Sequence, residues 1–305
     1  MKEIYLRAPA TTANVGPGYD IFALTLQNPF DEVKLQLNDS KRITIDIIND
    51  RNNIPIDVPN NTAGLAILEL LKRKNIQIGV NVQINKKMPS GCGLGTTGAS
   101  AAACVFGLDK LLELGLSENE MIDIARMGEV ASGGSPHADN VAAALLGGFI
   151  LVKSYDPVDV LKLKIPEFPV VLAIMQKNQR TTRGFITYNI GEEKLKEQIA
   201  HCSSVIHAIH TKDIKEFGKA VSVDYVAEPI RGATIPGYND AKKCIINAGA
   251  YGCNISGGGS SVIAICDEEK QNEIKNIMEN CFMDNPLFIK IIKTKTCNIG
   301  IKEID

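Results

Sequence analysis

The sequence predicts an α+β protein built from two packed domains, and three observations predict it. The chain has 305 residues, more than one typical hydrophobic core organises. Strand and helix patterns follow one another without the regular strand–helix repeat of a parallel barrel. Around Lys164 to Pro169 the apolar pattern breaks at two prolines with Glu167 between them, which places a boundary between domains 1–166 and 167–305.

In the first domain, residues 3–8, 33–37 and 43–48 alternate apolar and polar side chains, the signature of half-buried strands. Residues 62–74 carry Leu65, Leu68 and Leu71 at helical spacing, and Val80 to Ile84 form a strand that leads toward a glycine-rich loop. From Thr97 a run of small residues predicts a closely packed buried helix. Ser117 and Glu120 form the Ser-x-x-Glu start of another. The second domain reads as strand 170–174, polar loop 176–191, helices 192–210, 213–222 and 239–248, strand 262–266, helix 268–281 and strand 287–292. A small sheet with helices on one face accommodates that order.

Composition removes several function classes. A net charge of −2 with both signs scattered leaves no broad basic face for nucleic acid, yet permits one small anion in a pocket. No apolar run reaches the roughly 18 residues of a membrane span. Charges interrupt the first apolar stretch and no signal-peptide core is visible, so a cytoplasmic protein is expected. The eight cysteines are dispersed without a Cys-x-x-Cys pair and read as buried apolar residues. His201, His207 and His210 complete no zinc-ligand spacing.

The chemistry concentrates in Pro89-Ser-Gly-Cys-Gly-Leu-Gly-Thr-Thr-Gly-Ala-Ser-Ala-Ala102. Glycines at 91, 93, 95 and 98 between a strand and a helix let successive backbone N–H groups wrap an anion, and the helix start adds its free amides and positive dipole end. Thr96 and Thr97 supply hydroxyls for a phosphate oxygen or Mg²⁺. Gly93 to Gly98 spells a dinucleotide fingerprint, but a second helix follows where that fold needs a strand. The Gly-Lys-Ser/Thr of a Walker loop is absent. A glycine-rich turn feeding a close-packed helix is the alternative that needs no ligand.

Two further segments change the balance: Pro9-Ala-Thr-Thr-Ala-Asn-Val-Gly-Pro-Gly-Tyr-Asp20 and Cys253-Asn-Ile-Ser-Gly-Gly-Gly-Ser-Ser261. With the central loop they resemble, in order and position, the three motifs of the GHMP kinases. The first segment, Gly133 to Ala142 and Glu228 to Tyr238 resemble the homoserine kinase branch of that superfamily. The resemblance runs from residue 4 to about 295. It implies a ribosomal-S5-domain-2-like ATP domain followed by a ferredoxin-like α/β sandwich, with ATP and Mg²⁺ as cofactors and, by analogy, a homodimer. The implied reaction is phosphorylation of the L-homoserine hydroxyl, a step toward threonine. The alternatives are a relative acting on another small hydroxy acid or amino alcohol, or a non-catalytic nucleotide-binding homologue.

By the same resemblance Pro89, Ser90, Gly91, Cys92, Gly93, Leu94, Gly95, Thr96 and Thr97 surround the triphosphate, while Asn61 contacts adenine or simply caps its helix. Thr97 and Glu129 are the implied Mg²⁺ ligands, suited as hard oxygen donors. Asn14, Asp20, His137, Asn140, Thr182, Arg183, Arg231 and Gly258 are implied around the acceptor. Asp20 suits an ammonium, and Arg231 suits a carboxylate or phosphate through its planar fork. Asn140 stands where several superfamily members have an aspartate, so the resemblance implies catalysis by alignment of the hydroxyl with the γ-phosphate and charge neutralisation by Mg²⁺ rather than by a strong base, with Asn140, Thr97, Glu129 and Arg231 as the implied catalytic residues. One departure is visible: homoserine kinases usually carry Thr-x-x-x-Arg in the first loop of the second domain. Counting from Thr181 or Thr182, the arginine position here falls on Phe185 or Ile186. Arg180 or Arg183 could reach the same anion from a shifted loop, or the acceptor differs.

Overall fold

The computed structural model describes residues 2–50, 52–176 and 190–304. Its first sheet is laid down by β1 (Glu3–Ala13), β2 (Phe22–Asn38), β3 (Ile43–Ile48), β4 (Gly79–Asn85), β5 (Phe149–Tyr155) and β6 (Val158–Leu163). α1 (Thr62–Arg73) lies between β3 and β4, and α2 (Thr96–Leu112), α3 (Glu118–Arg126), the short α4 (Val130–Gly133) and α5 (Asp139–Leu146) lie between β4 and β5. β3 and β4 pair in parallel; the other pairs are antiparallel. β2 is long enough to serve two partners, β4 along residues 32–38 and β5 along residues 22–24, while β1 covers its other edge. Ile4, Leu6 and Ala8 of β1 and Val33 and Leu35 of β2 are buried on the inner face, the period-two pattern made structural.

α2 is buried along almost its whole length because its side chains are small. At Gly107 even a methyl group would come within 2.3 Å of Leu35. α3 starts as its sequence predicts: Ser117 accepts from the Glu120 backbone N–H, and Glu120 accepts in return from Ser117 N–H at 3.1 Å. This reciprocal pair satisfies two donors that the helix start otherwise leaves free.

The second unit comprises β7 (Pro169–Met175), α6 (Glu192–Thr211), α7 (Ile214–Val221), α8 (Glu228–Gly232), α9 (Tyr238–Asn247), β8 (Gly252–Ile255), β9 (Val262–Ile265), α10 (Gln271–Phe282) and β10 (Phe288–Lys295). Its sheet runs β10-β7-β9-β8, entirely antiparallel. The expectation of helices on one face is corrected here. Val171, Ala173 and Met175 pack with α9 and α10, whereas Val170, Leu172 and Ile174 join the core shared with α6, α7 and the first sheet. A strand apolar at every position is buried on both faces, and residues 170–174 are such a run. The chain then returns: β11 (Lys302–Glu303) pairs with β1 and completes the seven-stranded sheet. The β5–β6 hairpin, the short α4 and α8, α5, β8 and this returning strand are elements that periodicity did not reveal.

Candidate active site

The three glycine-bearing segments, separated by up to 240 residues of chain, are bonded to one another. Thr11 N–H donates to Leu94 O at 3.1 Å, Gly257 N–H to Ala13 O at 3.1 Å and Ser261 N–H to Cys92 O at 3.1 Å. Ser256 Oγ donates to Gly93 O at 2.8 Å. Glycine is required at two of these crossings. A Cβ on Gly93 would lie 2.1 Å from Ser256 O, and one on Gly95 would lie 1.9 Å from Thr11 Oγ1. Gly91 differs. Its φ is +76°, yet a Cβ there would meet nothing within 4 Å, so the loop opens on a space at this point. With φ of +86° at Gly93 and +62° at Gly95, alternate glycines are left-handed, a backbone pattern from which anion-binding concavities are built.

The two threonines at the start of α2 do different things. Thr96 is buried and its hydroxyl donates to Asp31 Oδ2 at 2.6 Å. Lys86 Nζ donates to the same Asp31 oxygen at 2.9 Å, to Thr96 Oγ1 at 2.7 Å and to Ser100 Oγ at 2.8 Å. Asp31 Oδ1 accepts from Lys87 and Met88 N–H at 2.8 and 3.0 Å. This buried knot fastens β2 and the segment after β4 to the first turn of α2, so the Thr96 side chain braces the cradle from below. Thr97 instead lines the neighbouring cleft, together with Ile47, Ile54, Pro55, Asn61, Thr62, Ile84, Lys86, Ser90 and Ser100. An apolar wall beside a polar floor suits a flat base attached to a polyphosphate.

Within the loop, the Leu94 side chain is wholly buried. The Cys92 thiol points inward and donates to Pro89 O at 2.8 Å, with burial pushing its pKa up to about 12. Both therefore face a ligand only through their backbone. Ser90 N–H is held by Asn52 Oδ1 at 3.1 Å. Asn61 is the N-cap of α1: its Oδ1 accepts from Ala63 and Gly64 N–H, and its Nδ2 donates to Pro55 O at 2.6 Å. Capping thus uses its oxygen and one amide hydrogen, and a base contact would draw on the other.

Glu129 ends a 3₁₀ turn over Met127–Glu129 and is buried. That turn presses on α1 so closely that a Cβ on Gly128 would lie 2.2 Å from Thr62 O, while Thr62 Oγ1 reaches Thr97 O at 3.4 Å. Thr62 is thus common neighbour to the segments carrying Thr97 and Glu129. A hydroxyl and a buried carboxylate are donors a hard divalent cation accepts. Among the described residues no cluster of three or more His, Cys, Asp or Glu side chains could hold a metal alone. A cation here would complete its shell with phosphate oxygens and water.

Among the residues that the resemblance implies around the acceptor, Asn14 and Asp20 have φ of +54° and +57°, left-handed values that cost a residue with a Cβ about 1–2 kcal/mol. Asn14 Oδ1 accepts from Asp20 N–H at 2.8 Å and Tyr155 Oη donates to Asp20 O at 2.7 Å, so both ends of the Asp20 backbone are held. Burial pushes the Tyr155 phenol well up, which keeps it a donor. The Asp20 carboxylate is a third exposed and lies 3.9 Å from His137 Nδ1. Arg231, buried, donates to Gly257 O at 2.8 Å and sits 5.4 Å from the centre of the Tyr19 ring, one residue from Asp20. Asn140 accepts from Thr11 Oγ1 at 2.7 Å, beside Gly95. Gly258 is part-exposed next to Gly257. Thr182 and Arg183, with Arg180, Phe185 and Ile186, lie outside the described residues.

Asp31, Lys86 and Thr11 escaped the sequence reading, although the first two left a signal. Val33, Leu35 and Leu37 point inward on β2, and Val80, Val82 and Ile84 on β4. Stepping each pattern on by two puts Asp31 and Lys86 on the inner face, where opposite charges must pair.

A glycine-rich concavity at a helix start has an acid and an arginine nearby, and comparison with known proteins places the chain among kinases for small molecules. The GHMP kinases N terminal domain matches residues 61–148 and the GHMP kinases C terminal domain residues 205–285. The chain is 37% identical to homoserine kinase of Methanococcus maripaludis over 92% of this chain and 94% of that protein. It is 34% identical to homoserine kinase of Methanopyrus kandleri over 90% and 91%. The crystal structure of homoserine kinase from Cytophaga hutchinsonii superposes with a TM-score of 0.91 at 34% identity, covering 100% of this chain and 98% of that one. The chain belongs to the homoserine kinase family of GHMP kinases, and it is an ATP-dependent kinase acting on a hydroxyl group.

Proposed function

We propose that the protein transfers the γ-phosphoryl group of ATP to the side-chain hydroxyl of L-homoserine, giving ADP, O-phospho-L-homoserine and a proton. The observation that carries this reading is Arg231 lying over the ring of Tyr19, the residue before Asp20, which supports a site offering an anion to an ammonium and a cation to a carboxylate. We propose Asn14, Asp20, His137 and Arg231 as the groups that hold the amino acid, with Thr182 and Arg183, outside the described residues, kept in the proposal from the sequence resemblance. The backbone N–H groups of residues 91–97 hold the triphosphate, with Pro89 and Ser90 at the entrance of the loop. The division at residues 166 and 167 remains part of the proposal.

Thr97 and Glu129 would hold Mg²⁺, which when bound neutralises charge on the β- and γ-phosphates. The protein's own share is alignment. The left-handed N–H groups of the cradle fix the phosphates, and the Asn14–Asp20 bond fixes the far end of the acceptor. Its hydroxyl is then presented near Asn140. The Asn140 oxygen already accepts from Thr11, which leaves its amide hydrogens to face the transferring group as donors rather than as a base.

The test is ADP release with Mg-ATP against L-homoserine, L-threonine, L-serine, mevalonate, pantoate and no acceptor. Turnover confined to homoserine is expected. Turnover confined to another acceptor would overturn the substrate and leave the kinase chemistry standing.

A further inference from the structure

Gln198 is a buried polar residue on α6, 5% exposed, and both ends of its amide are used. Its Nε2 donates to Pro17 O at 2.8 Å, and its Oε1 accepts from Tyr225 N–H at 2.9 Å. One turn along the same helix, the Cys202 thiol donates to the same Pro17 carbonyl at 3.4 Å. Each of the two segments joined in this way leads to one end of the acceptor site. Pro17 precedes Asp20 by three residues on the loop from the first sheet. Tyr225 follows Asp224, whose carboxylate caps α8 by accepting from Val226, Ala227 and Glu228 N–H at 2.8, 2.9 and 3.1 Å. α8 carries Arg231.

An α-amino acid carries its ammonium and carboxylate on one carbon, so the span between Asp20 and Arg231 must be held to a fraction of an ångström for both to bind. We propose that Gln198 is a positioning residue that sets this span and thereby selects acceptors bearing both groups. The inference rests on the homoserine reading above. Glutamine suits the position chemically: it has the reach, one donor for a carbonyl and one acceptor for an N–H. Glutamate keeps the acceptor but turns an oxygen toward the Pro17 carbonyl, and methionine keeps only the volume.

The experiment compares the wild-type protein with Gln198→Met and Gln198→Glu by steady-state kinetics. L-Homoserine, 4-hydroxybutyrate, which lacks the ammonium, and 3-amino-1-propanol, which lacks the carboxylate, serve as acceptors, and thermal midpoints are recorded alongside. In Gln198→Met the KM for homoserine is expected to rise roughly tenfold, the scale of one lost hydrogen bond. The KM for ATP should stay within about twofold, and the preference for homoserine over the two truncated alcohols should shrink. Gln198→Glu retains the bond to Tyr225 and is expected to show the same pattern. A homoserine KM within twofold of wild type, or an ATP KM rising in parallel, would overturn the proposal. Failure of both variants to fold would do so too, by making Gln198 a stability residue only. Wild-type silence on homoserine would instead overturn the reading on which the proposal rests.

Discussion

Replacing Asp31 by asparagine changes one atom and should unfasten the floor of the nucleotide site. Asp31 is fully buried and accepts four hydrogen bonds, from Lys86 Nζ, Thr96 Oγ1, Lys87 N–H and Met88 N–H. Asparagine has one oxygen and one NH₂, so two of these four donors lose their acceptor whichever way the amide is turned. The Lys86 ammonium, itself buried, also loses its counter-ion. Breaking one side of a buried ion pair costs about 3–5 kcal/mol, because the remaining charge stays out of water. With about 2.1 cal/mol/K of unfolding entropy per residue over 305 residues, that is a fall of about 5–8 °C in Tm. Since Thr96 opens α2, the KM for ATP should rise while the KM for the acceptor holds. Asp31→Asn combined with Lys86→Met should recover part of the stability, because the buried charge left without a counter-ion is then removed. Denaturant titration together with initial rates reads both effects. A stability loss below about 1 kcal/mol, or a double variant weaker than the sum of the singles, would refute the reasoning.

Other outcomes follow from the same geometry. Thr11→Val removes the donor that orients Asn140, and kcat should fall roughly tenfold with both KM values little changed, whereas Thr11→Ser should restore it; initial rates decide. Glu129→Gln should weaken the apparent affinity for Mg²⁺ by at least about tenfold in a titration of ADP release against the metal, and leave metal-free nucleotide binding by calorimetry nearly intact. Asp123 gives a pH signature. Burial alone would raise its carboxyl, but Arg73 at 2.5 Å and Arg126 at 2.7 Å outweigh that and hold it below the usual value. A carboxyl lowered on folding stabilises above its unfolded pKa, and that contribution disappears as pH falls through the folded value. Asp123→Asn should therefore flatten the acid limb of stability below about pH 4 in denaturation scans, by under about 1 kcal/mol because the group is part-exposed.

What was legible in the sequence was what local patterns encode. Residues 43–48 form β3 as read, 62–74 form α1 to within a residue, and 192–210 form α6 to within a residue. In each case periodicity and end signals agreed. After Asp139 and Asn140, the run Val141 to Leu146 is apolar at every position and shows no period to separate helix from strand, so α5 was missed. The glycine loops were legible because left-handed backbone demands glycine. The groups that brace them were not. Asp31 meets Thr96 across 65 positions, Thr11 meets Asn140 across 129 and Gln198 meets Pro17 across 181. Such partners depend on strand register and on the docking of two sheets, which no short window of sequence contains.

The strand that closes the first sheet follows every strand of the second sheet in chain order, and so is translated after them. β11 pairs with β1, Cys297 exchanges backbone bonds with Thr25 and Gly148, and Ile301 N–H donates to Ala144 O at 2.8 Å. The half that carries the first sheet is translated first yet lacks this edge until the second sheet has also been made. Its nascent form exposes the free side of β1 while some 130 further residues emerge, and an uncovered strand edge is a template for wrong pairings. Removal of the last ten residues should therefore damage nucleotide binding, far from the cut in sequence, before it damages the neighbouring second sheet.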